Sequence, residues 1–228
     1  MRPFLRHFPI RSSSHWAQIP LAPPDKILGL NEAFKADISK TKVNLGVGAY
    51  RDDNGKPFVL KSVREAEKRI AVKNVDHEYA GIAGVQQFID LSLDFAYGDS
   101  CGVLKSGRIA AIQSLSGTGA CRVVGEFLAR FSKPGTKIYM PDPTWGNHIP
   151  IMKDSGLSPA KYRYFDAATC SVDFAGMSED INNAPNGSVL MLHACAHNPT
   201  GCDPSFAEWN DLSTIILKKV AHLNLIII

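Results

Sequence analysis

The sequence places two hydroxyl residues and two glycines in a row at Ser116, Gly117, Thr118 and Gly119. An apolar segment precedes this row and an amphipathic segment follows it, an order typical of strand, loop and helix. The first turn of a helix presents free N–H groups and the positive end of the helix dipole, and glycines let a ligand approach the backbone. The row therefore predicts an anion-binding site whose ligand is a phosphate group. The alternative is a glycine turn that only caps the helix.

Two nucleotide-binding patterns are missing from this loop. A dinucleotide fingerprint would need a glycine at Arg122, three residues after Gly119, and a P-loop would end in Gly-Lys-Ser or Gly-Lys-Thr. The predicted phosphate therefore belongs to a different kind of ligand.

A tryptophan and an asparagine follow two other apolar segments. Trp145 lies in the loop 141–148 after a predicted strand, where its ring can stack on a flat ligand. The alternative is a core tryptophan with a satisfied N–H. Asn198, held by Pro199, both donates and accepts hydrogen bonds, so we expect it to bind an oxygen on a ring or a substrate carboxylate.

Three potential metal ligands alternate in the segment before this asparagine. In an extended strand, His193, Cys195 and His197 would share one face. Imidazole and thiolate groups suit zinc, but three ligands from a segment predicted to be buried make an incomplete site. A zinc-dependent enzyme is therefore kept only as a rival hypothesis.

The elements that must position these residues alternate between strand and helix. This alternation predicts an α/β fold with a largely parallel sheet, in which ligands bind in loops after the carboxyl ends of the strands. Apolar runs predict strands at 108–115, 137–140, 161–165, 188–196 and 223–228. Helical spacing predicts helices near 27–36, 62–73, 85–95, 120–131, 149–155 and 178–184, and another that starts at Pro204 with Asp203 as its cap.

The net charge of +3 comes from the first residues of the chain. Arg2, Arg6 and Arg11 precede any acidic residue, and the rest of the chain has 22 basic and 22 acidic residues. The neutral body offers no basic surface for nucleic acid, and no apolar run is long enough for a transmembrane segment. The arginine-rich start, followed by serines at 12–14, predicts a mitochondrial transit peptide over residues 1–14 rather than a secretory signal.

Several stretches of the chain resemble the aspartate aminotransferases. They are VNLGVGAYRDDNGKP (43–57), SGTGA (116–120), PTWGNH (143–148), YRYFD (162–166) and HACAHNPTG (193–201). The start SSHWAQIPLAPPDKILGLNEAFK (13–35) is similar to the mitochondrial forms. This resemblance implies pyridoxal 5'-phosphate as cofactor, a homodimer and a location in the mitochondrial matrix.

The resemblance also implies a fold and a division into domains. The fold would be that of the fold type I pyridoxal-phosphate-dependent transferases, which is α/β. Residues 15–56 would form an N-terminal arm and part of the small domain. Residues 57–228 would form an incomplete, cofactor-binding large domain with a mainly parallel sheet.

The family's cofactor contacts can be carried over to matching positions. Ser116, Gly117 and Thr118 resemble the phosphate cradle. Trp145 resembles the residue that stacks on the pyridine ring and helps to hold the substrate carboxylate. Asn198 resembles the partner of the phenolic oxygen of the ring, which also touches substrate.

Four further positions carry family roles by resemblance. Gly48 resembles a backbone contact to substrate, and Tyr79 the tyrosine that reaches the cofactor phosphate of the other subunit. His148 resembles a support beneath the ring, and His193 a buried neighbour of the site.

The family reaction moves the amino group of aspartate to 2-oxoglutarate, so the expected substrates are dicarboxylic amino acids and 2-oxo acids. In the family, the Schiff-base lysine, the aspartate on the pyridine nitrogen and the substrate-binding arginines follow the strand that corresponds to 223–228. We therefore expect this chain to lack the Schiff-base lysine, to carry no catalytic residue and to be inactive alone. The alternative is a non-catalytic subunit that associates with a full-length partner.

Overall fold

The computed structural model describes residues 15–20, 26–44, 46, 48–98, 100–219 and 224–227. The chain divides into two compact units, Met1–Glu78 and Tyr79–Ile228. The predicted transit peptide, residues 1–14, lies outside the described residues. In the described part of the chain, no helix has the length and apolar character that crossing a membrane requires.

The second unit is built around a parallel sheet. In chain order the strands are β1 (Lys137–Asp142), β2 (Ser158–Arg163), β3 (Phe165–Asp166), β4 (Ser171–Val172), β5 (Val189–Leu192) and β6 (Asn224–Ile227). Four of them form one sheet in the order β2-β1-β5-β6 with parallel pairing throughout. The other two, β3 and β4, form an antiparallel hairpin. The predicted α/β fold with a mainly parallel sheet is confirmed.

The helices occur between these strands and before them. In chain order they are α1 (Lys26–Ala36), α2 (Lys61–Lys73), α3 (Gln86–Tyr97), α4 (Gly102–Lys105), α5 (Ser116–Phe131), α6 (His148–Asp154), α7 (Phe174–Asn183) and α8 (Phe206–Lys219), preceded by a short 3-10 helix at His15–Gln18. From α5 onward a helix separates each pair of consecutive strands of the parallel sheet, and the parallel pairing of β1 with β5 places the loops after these two strands at the same end of the sheet.

The sheet is covered on both faces because side chains alternate along each strand. In β5, Val189 and Met191 enter a core with α5 and α6, while Leu190 and Leu192 enter a second core with α7 and α8. All four are buried. Burial on both faces explains why this strand is a continuous apolar run.

Helix α5 approaches the end of α6 at a glycine. A Cβ atom built on Gly125 would lie 2.7 Å from Ser155 Oγ and 3.3 Å from Met152 Sδ. Only hydrogen fits at this contact, so Gly125 allows α5 to pack against α6 at the edge of the first core.

In the first unit, the chain forms a tight turn between α1 and α2. Asp52 Oδ1 accepts hydrogen bonds of 2.9 Å from the N–H groups of Asn54 and Lys56, and Gly55 has a φ of +71°. Arg51 and Pro57 form an antiparallel bridge across the turn.

One predicted strand is wrong. Residues 108–115 are not a strand: among the described residues, their backbone bonds to a distant segment where Gln113 N–H donates to the Ala83 carbonyl at 2.8 Å, and otherwise the Leu115 carbonyl accepts from Gly119 in the helix that follows. A strand requires a partner along its length, and this segment lies on neither edge of the four-stranded sheet. Its apolar composition therefore does not decide its structure.

The predicted cap of the last helix is also wrong. α8 begins at Phe206, and Ser205 and Glu208 form its capping box. Ser205 Oγ accepts from the Glu208 N–H at 3.3 Å, and Glu208 Oε2 accepts from the Ser205 N–H at 2.7 Å. The Asp203 carboxylate does not cap this helix and is therefore available for other hydrogen bonds.

Candidate active site

Three segments meet at the carboxyl ends of β1 and β5 and enclose a cavity of about 390 Å³. This volume lies within the roughly 300–1,000 Å³ typical of small-molecule sites. Its lining residues are Ser116, Gly117, Thr118, Cys121, Trp145, His148, His193, Cys195, Ala196 and Asn198. A larger cavity of about 540 Å³ lies by the turns at 133–137 and 185–188, at the opposite ends of these strands. Ligands of parallel α/β sheets bind at the carboxyl ends, so the smaller cavity is the candidate site.

The start of α5 supplies one wall of the cavity. Its first intrahelical bond runs from the Gly119 N–H to the Leu115 carbonyl at 3.0 Å, so the N–H groups of Ser116, Gly117 and Thr118 have no acceptor within the helix. A Cβ atom built on Gly117 would meet no heavy atom within 4 Å. Ser116 has a φ of +57°, a strained conformation of the kind that clusters at functional sites.

The loop after β1 supplies Trp145 and His148. Trp145 is half-buried and its ring meets that of His148 edge to face, with centroids 5.1 Å apart. His148 itself is buried at the first position of α6. Trp145 is therefore a wall of the cavity and not a core tryptophan.

The loop after β5 turns sharply where the sequence predicted a longer strand. β5 ends at Leu192, and Ala196 has a φ of +51°. Asp203 holds this turn, because Oδ2 accepts from the Ala196 N–H at 2.7 Å and Oδ1 from the His197 N–H at 2.9 Å. Asn198 follows the turn and is exposed in the cavity.

The turn also removes the geometry that the zinc hypothesis assumed. His193 and His197 are buried with ring centroids 4.3 Å apart, whereas Cys195 is exposed. Nδ1 of His193 and Nδ1 of His197 are already hydrogen-bonded, to the Asn198 N–H and to Thr200 Oγ1. Among the described residues, no group of three or more His, Cys, Asp or Glu side chains is arranged to hold a metal ion.

A chain of hydrogen bonds links the two loops. The Asn198 N–H donates to His193 Nδ1 at 3.2 Å, His193 Nε2 lies 3.4 Å from Thr144 Oγ1, and Thr144 Oγ1 lies 2.8 Å from His148 Nδ1. A main-chain N–H can only donate, so neutral His193 carries its hydrogen on Nε2. Thr144 then accepts from His193 and donates to His148 Nδ1. His148 is left with its hydrogen on Nε2.

Burial keeps the three imidazoles of this region neutral. It lowers the pKa of His148 to about 4, with a smaller effect from His193. It lowers the pKa of His197 to about 4, again with help from His193. Burial also lowers the pKa of His193, although the Asp203 carboxylate opposes that shift. Neutral rings are what the chain of hydrogen bonds requires.

The structure brings together most of the predicted site residues but not all of them. Ser116, Gly117, Thr118, Trp145, His148, His193 and Asn198 line one cavity. Tyr79 does not line it, and its side chain is fully exposed. Gly48 belongs to the first unit, where it is exposed.

Three contributors to the site were missed in the sequence. Cys121 lines the cavity from the second turn of α5, and it was assigned no role from the sequence. Thr144 bridges two histidines, and its position four residues before His148 was a usable signal. Asp203 holds the Ala196 turn, but its place just before Pro204 made it look like a helix cap.

Comparisons with known proteins agree with this geometry. Residues 40–225 match the family model described as Aminotransferase class I and II. The mitochondrial aspartate aminotransferase of Gallus gallus is 51% identical over 209 residues, which are 92% of this chain and 49% of that protein. The chain therefore spans about half the length of the curated relatives it matches.

Solved structures give the same result. The cytoplasmic aspartate aminotransferase of Saccharomyces cerevisiae superposes with a TM-score of 0.86 at 40% identity, covering 95% of this chain and 52% of that one. An aromatic-amino-acid aminotransferase from Burkholderia pseudomallei, covalently bound to pyridoxal phosphate, has a TM-score of 0.87 at 37% identity, with 94% and 53% covered. These matches confirm the fold type I expectation, and the chain belongs to the class I and II aminotransferase family.

Proposed function

We propose that the cavity binds pyridoxal 5'-phosphate and that the chain is part of an aspartate aminotransferase, which transfers the amino group of L-aspartate to 2-oxoglutarate. One observation carries the proposal: three N–H groups with no acceptor among the described residues, a tryptophan ring and an amide side chain line the same cavity, and no carboxylate of the described residues lines it. The name of the Gallus gallus relative and the cofactor of the Burkholderia pseudomallei structure support this choice.

The start of α5 fits the phosphate. Three N–H groups point along the helix axis toward an incoming anion, and no acidic residue stands in the first turn. The hydroxyls of Ser116 and Thr118 are further donors. Gly117 leaves its backbone open to the cavity, so an oxygen can approach its N–H closely.

The other walls fit a flat, polar ring. Trp145 offers an aromatic face and excludes water from one side. The Asn198 amide makes no side-chain hydrogen bond among the described residues, so it is free to bind a ring oxygen and a substrate carboxylate. His148 is held by Thr144 with its Nε2–H unused within the described part of the chain. When bound, the cofactor supplies an electron sink for the carbon that loses its proton.

Among the described residues that line the cavity, none is a lysine, the residue that moves the proton in the family that the chain resembles. We propose that the 228 residues bind the cofactor but do not transaminate alone. By the same resemblance, Gly48 contacts substrate through its backbone, and the exposed Tyr79 reaches the phosphate of a second copy in a homodimer.

The resemblance also gives a location and a domain plan for the proposal. The arginine-rich start, together with relatives named as mitochondrial, supports import into the mitochondrial matrix and removal of residues 1–14. The proposed division is into an N-terminal arm with part of the small domain at residues 15–56, and part of the large domain at residues 57–228.

The experiment is a hybrid enzyme in which this chain replaces the matching half of the Gallus gallus protein. We expect aspartate-dependent formation of oxaloacetate from the hybrid and none from the 228-residue chain alone. A well-folded hybrid that binds no cofactor would refute the proposal. Activity that appears only when an intact Gallus gallus subunit is co-expressed would instead favour the non-catalytic partner.

A further inference from the structure

We propose that Asp203 is the positioning residue of the cofactor loop: its carboxylate fixes the left-handed turn at Ala196 and thereby sets where Asn198 stands in the cavity. The inference deepens the proposed function and rests on it for the role of Asn198. The geometry of the turn stands independently of that role.

The carboxylate makes two bonds of the kind that fix a backbone. Its two oxygens accept from the consecutive N–H groups of Ala196, at 2.7 Å, and His197, at 2.9 Å. Hydrogen bonds to an ionised acceptor are stronger than neutral ones. Ala196 has a φ of +51°, which an alanine does not adopt without support. The two hydrogen bonds to the carboxylate therefore stabilise a backbone conformation that an alanine disfavours.

The turn connects directly to the hydrogen-bond chain of the site. Asn198 lies two residues after Ala196, and its N–H reaches His193 Nδ1 at 3.2 Å. If the turn relaxed, this N–H would leave His193, and the chain through Thr144 to His148 would lose the donor that sets its direction. Asp203 thus acts on Asn198 through the backbone of Ala196 and His197, and does not itself line the cavity.

Asp203 is itself held on both sides. Pro204 follows it and is buried, which restricts the backbone of Asp203 to extended conformations. Before it, the Cys202 carbonyl accepts from the hydroxyl of Tyr164 at 2.7 Å. The Tyr164 ring stacks on His197 with centroids 3.9 Å apart. These contacts fix the backbone on both sides of Asp203. Its carboxylate in turn fixes the backbone of Ala196.

A helix-capping role does not account for this aspartate. Ser205 and Glu208 already form the capping box of α8. The carboxylate of Asp203 instead faces backward along the chain, toward residues 6 and 7 positions earlier. Removing it should disturb the cavity and leave the start of α8 unchanged.

The test uses the 228-residue chain with Asp203→Asn and Asp203→Ala. Asp52→Ala is the matched control, because Asp52 also accepts two main-chain N–H groups, in a turn of the first unit. Three readouts are compared: amide hydrogen exchange at Ala196 and His197, the ¹⁵N shift of His193 Nδ1, and affinity for 4'-deoxypyridoxine 5'-phosphate. This probe keeps the phosphate and ring of the cofactor but has no aldehyde to react with surface lysines.

We expect Asp203→Ala to speed exchange at both amides and weaken probe affinity by roughly tenfold or more, with Asp203→Asn intermediate. His193 Nδ1 should move toward the shift of a nitrogen without a donor, while Asp52→Ala changes none of these. Unprotected Ala196 and His197 amides in the parent chain would overturn the inference even if no variant folds. So would an Asp203→Ala variant with parental exchange and His193 shift. If the parent chain binds no probe but the Asp203 variants still show the expected changes in amide exchange and ¹⁵N shift, the result would count against the proposed function and for the role of Asp203.

Discussion

The main-chain N–H of Asn198 donates a hydrogen bond of 3.2 Å to Nδ1 of His193. This contact fixes the tautomer of His193 and, through Thr144, that of His148. In a ¹⁵N-histidine spectrum at neutral pH, we predict that both rings carry hydrogen on Nε2 and an acceptor nitrogen at Nδ1. A His193 signal with hydrogen on Nδ1 would rule out this arrangement.

Replacing Thr144 tests the same chain by removing its middle member. Thr144→Val keeps the shape of the side chain but leaves His148 Nδ1 without its donor. A buried acceptor without a partner costs about 1–3 kcal/mol, so the free energy of unfolding should fall by that amount. Thr169→Val, at an exposed hydroxyl of the β3–β4 turn, is the control and should change stability much less.

The buried histidines predict a dependence of stability on pH. The pKa of His148 and of His197 is about 4 in the folded chain, against 6.5 for an unperturbed histidine. Between these values the unfolded chain binds more protons than the folded chain, so stability is lost as pH falls from about 6.5 toward 4. Denaturant titrations across this range should show the loss, and His148→Gln should make it shallower. A His148→Gln variant that loses stability with the same slope as the parent chain would contradict the assignment.

Gly125→Ala tests the packing of α5 on α6. The new methyl group would meet Ser155 Oγ at 2.7 Å, and overpacking of this kind costs about 1–3 kcal/mol. Gly117→Ala in the same helix meets no atom within 4 Å and should keep parental stability. Equal melting temperatures for the two variants would show that α5 does not pack at Gly125 as described.

Two cavity residues should separate binding from turnover in the hybrid enzyme. Thr118→Val removes one donor to a charged phosphate, worth about 1.5–3 kcal/mol, so cofactor affinity should fall about tenfold to a hundredfold. Trp145→Ala should mainly lower kcat, because the ring orients the cofactor and substrate. If both variants bind and turn over like the parent, these residues do not form the cofactor site.

The sequence was informative wherever local chemistry decides structure. The Ser116–Gly119 row predicted a helix start because glycines and hydroxyls favour that geometry without distant partners, although these residues form the first turn of α5 and not the predicted loop before it. The buried run around Val189–Leu192 predicted a central strand because residues covered on both faces are apolar throughout. These local signals were enough to place the α/β fold and to mark the two segments that line most of the cavity.

Features that depend on partners distant in the chain could not be predicted from the sequence. Residues 108–115 look like a strand, yet pairing depends on which edge of the sheet is available. Asp203 looks like a cap because capping is a local rule, but its partners lie at Ala196 and His197, across a turn with a left-handed residue. An alanine with a left-handed backbone conformation cannot be predicted from the residue types around it.

The most direct test of the central claim is a binding titration of the 228-residue chain with 4'-deoxypyridoxine 5'-phosphate. The matched ligand is 4'-deoxypyridoxine without the phosphate. We predict saturable binding of one phosphorylated molecule per chain, weakened about tenfold or more by loss of the phosphate or by Thr118→Val. Equal affinity for the two ligands, or binding that Thr118→Val and Trp145→Ala leave unchanged, would contradict the claim that this cavity is the cofactor site.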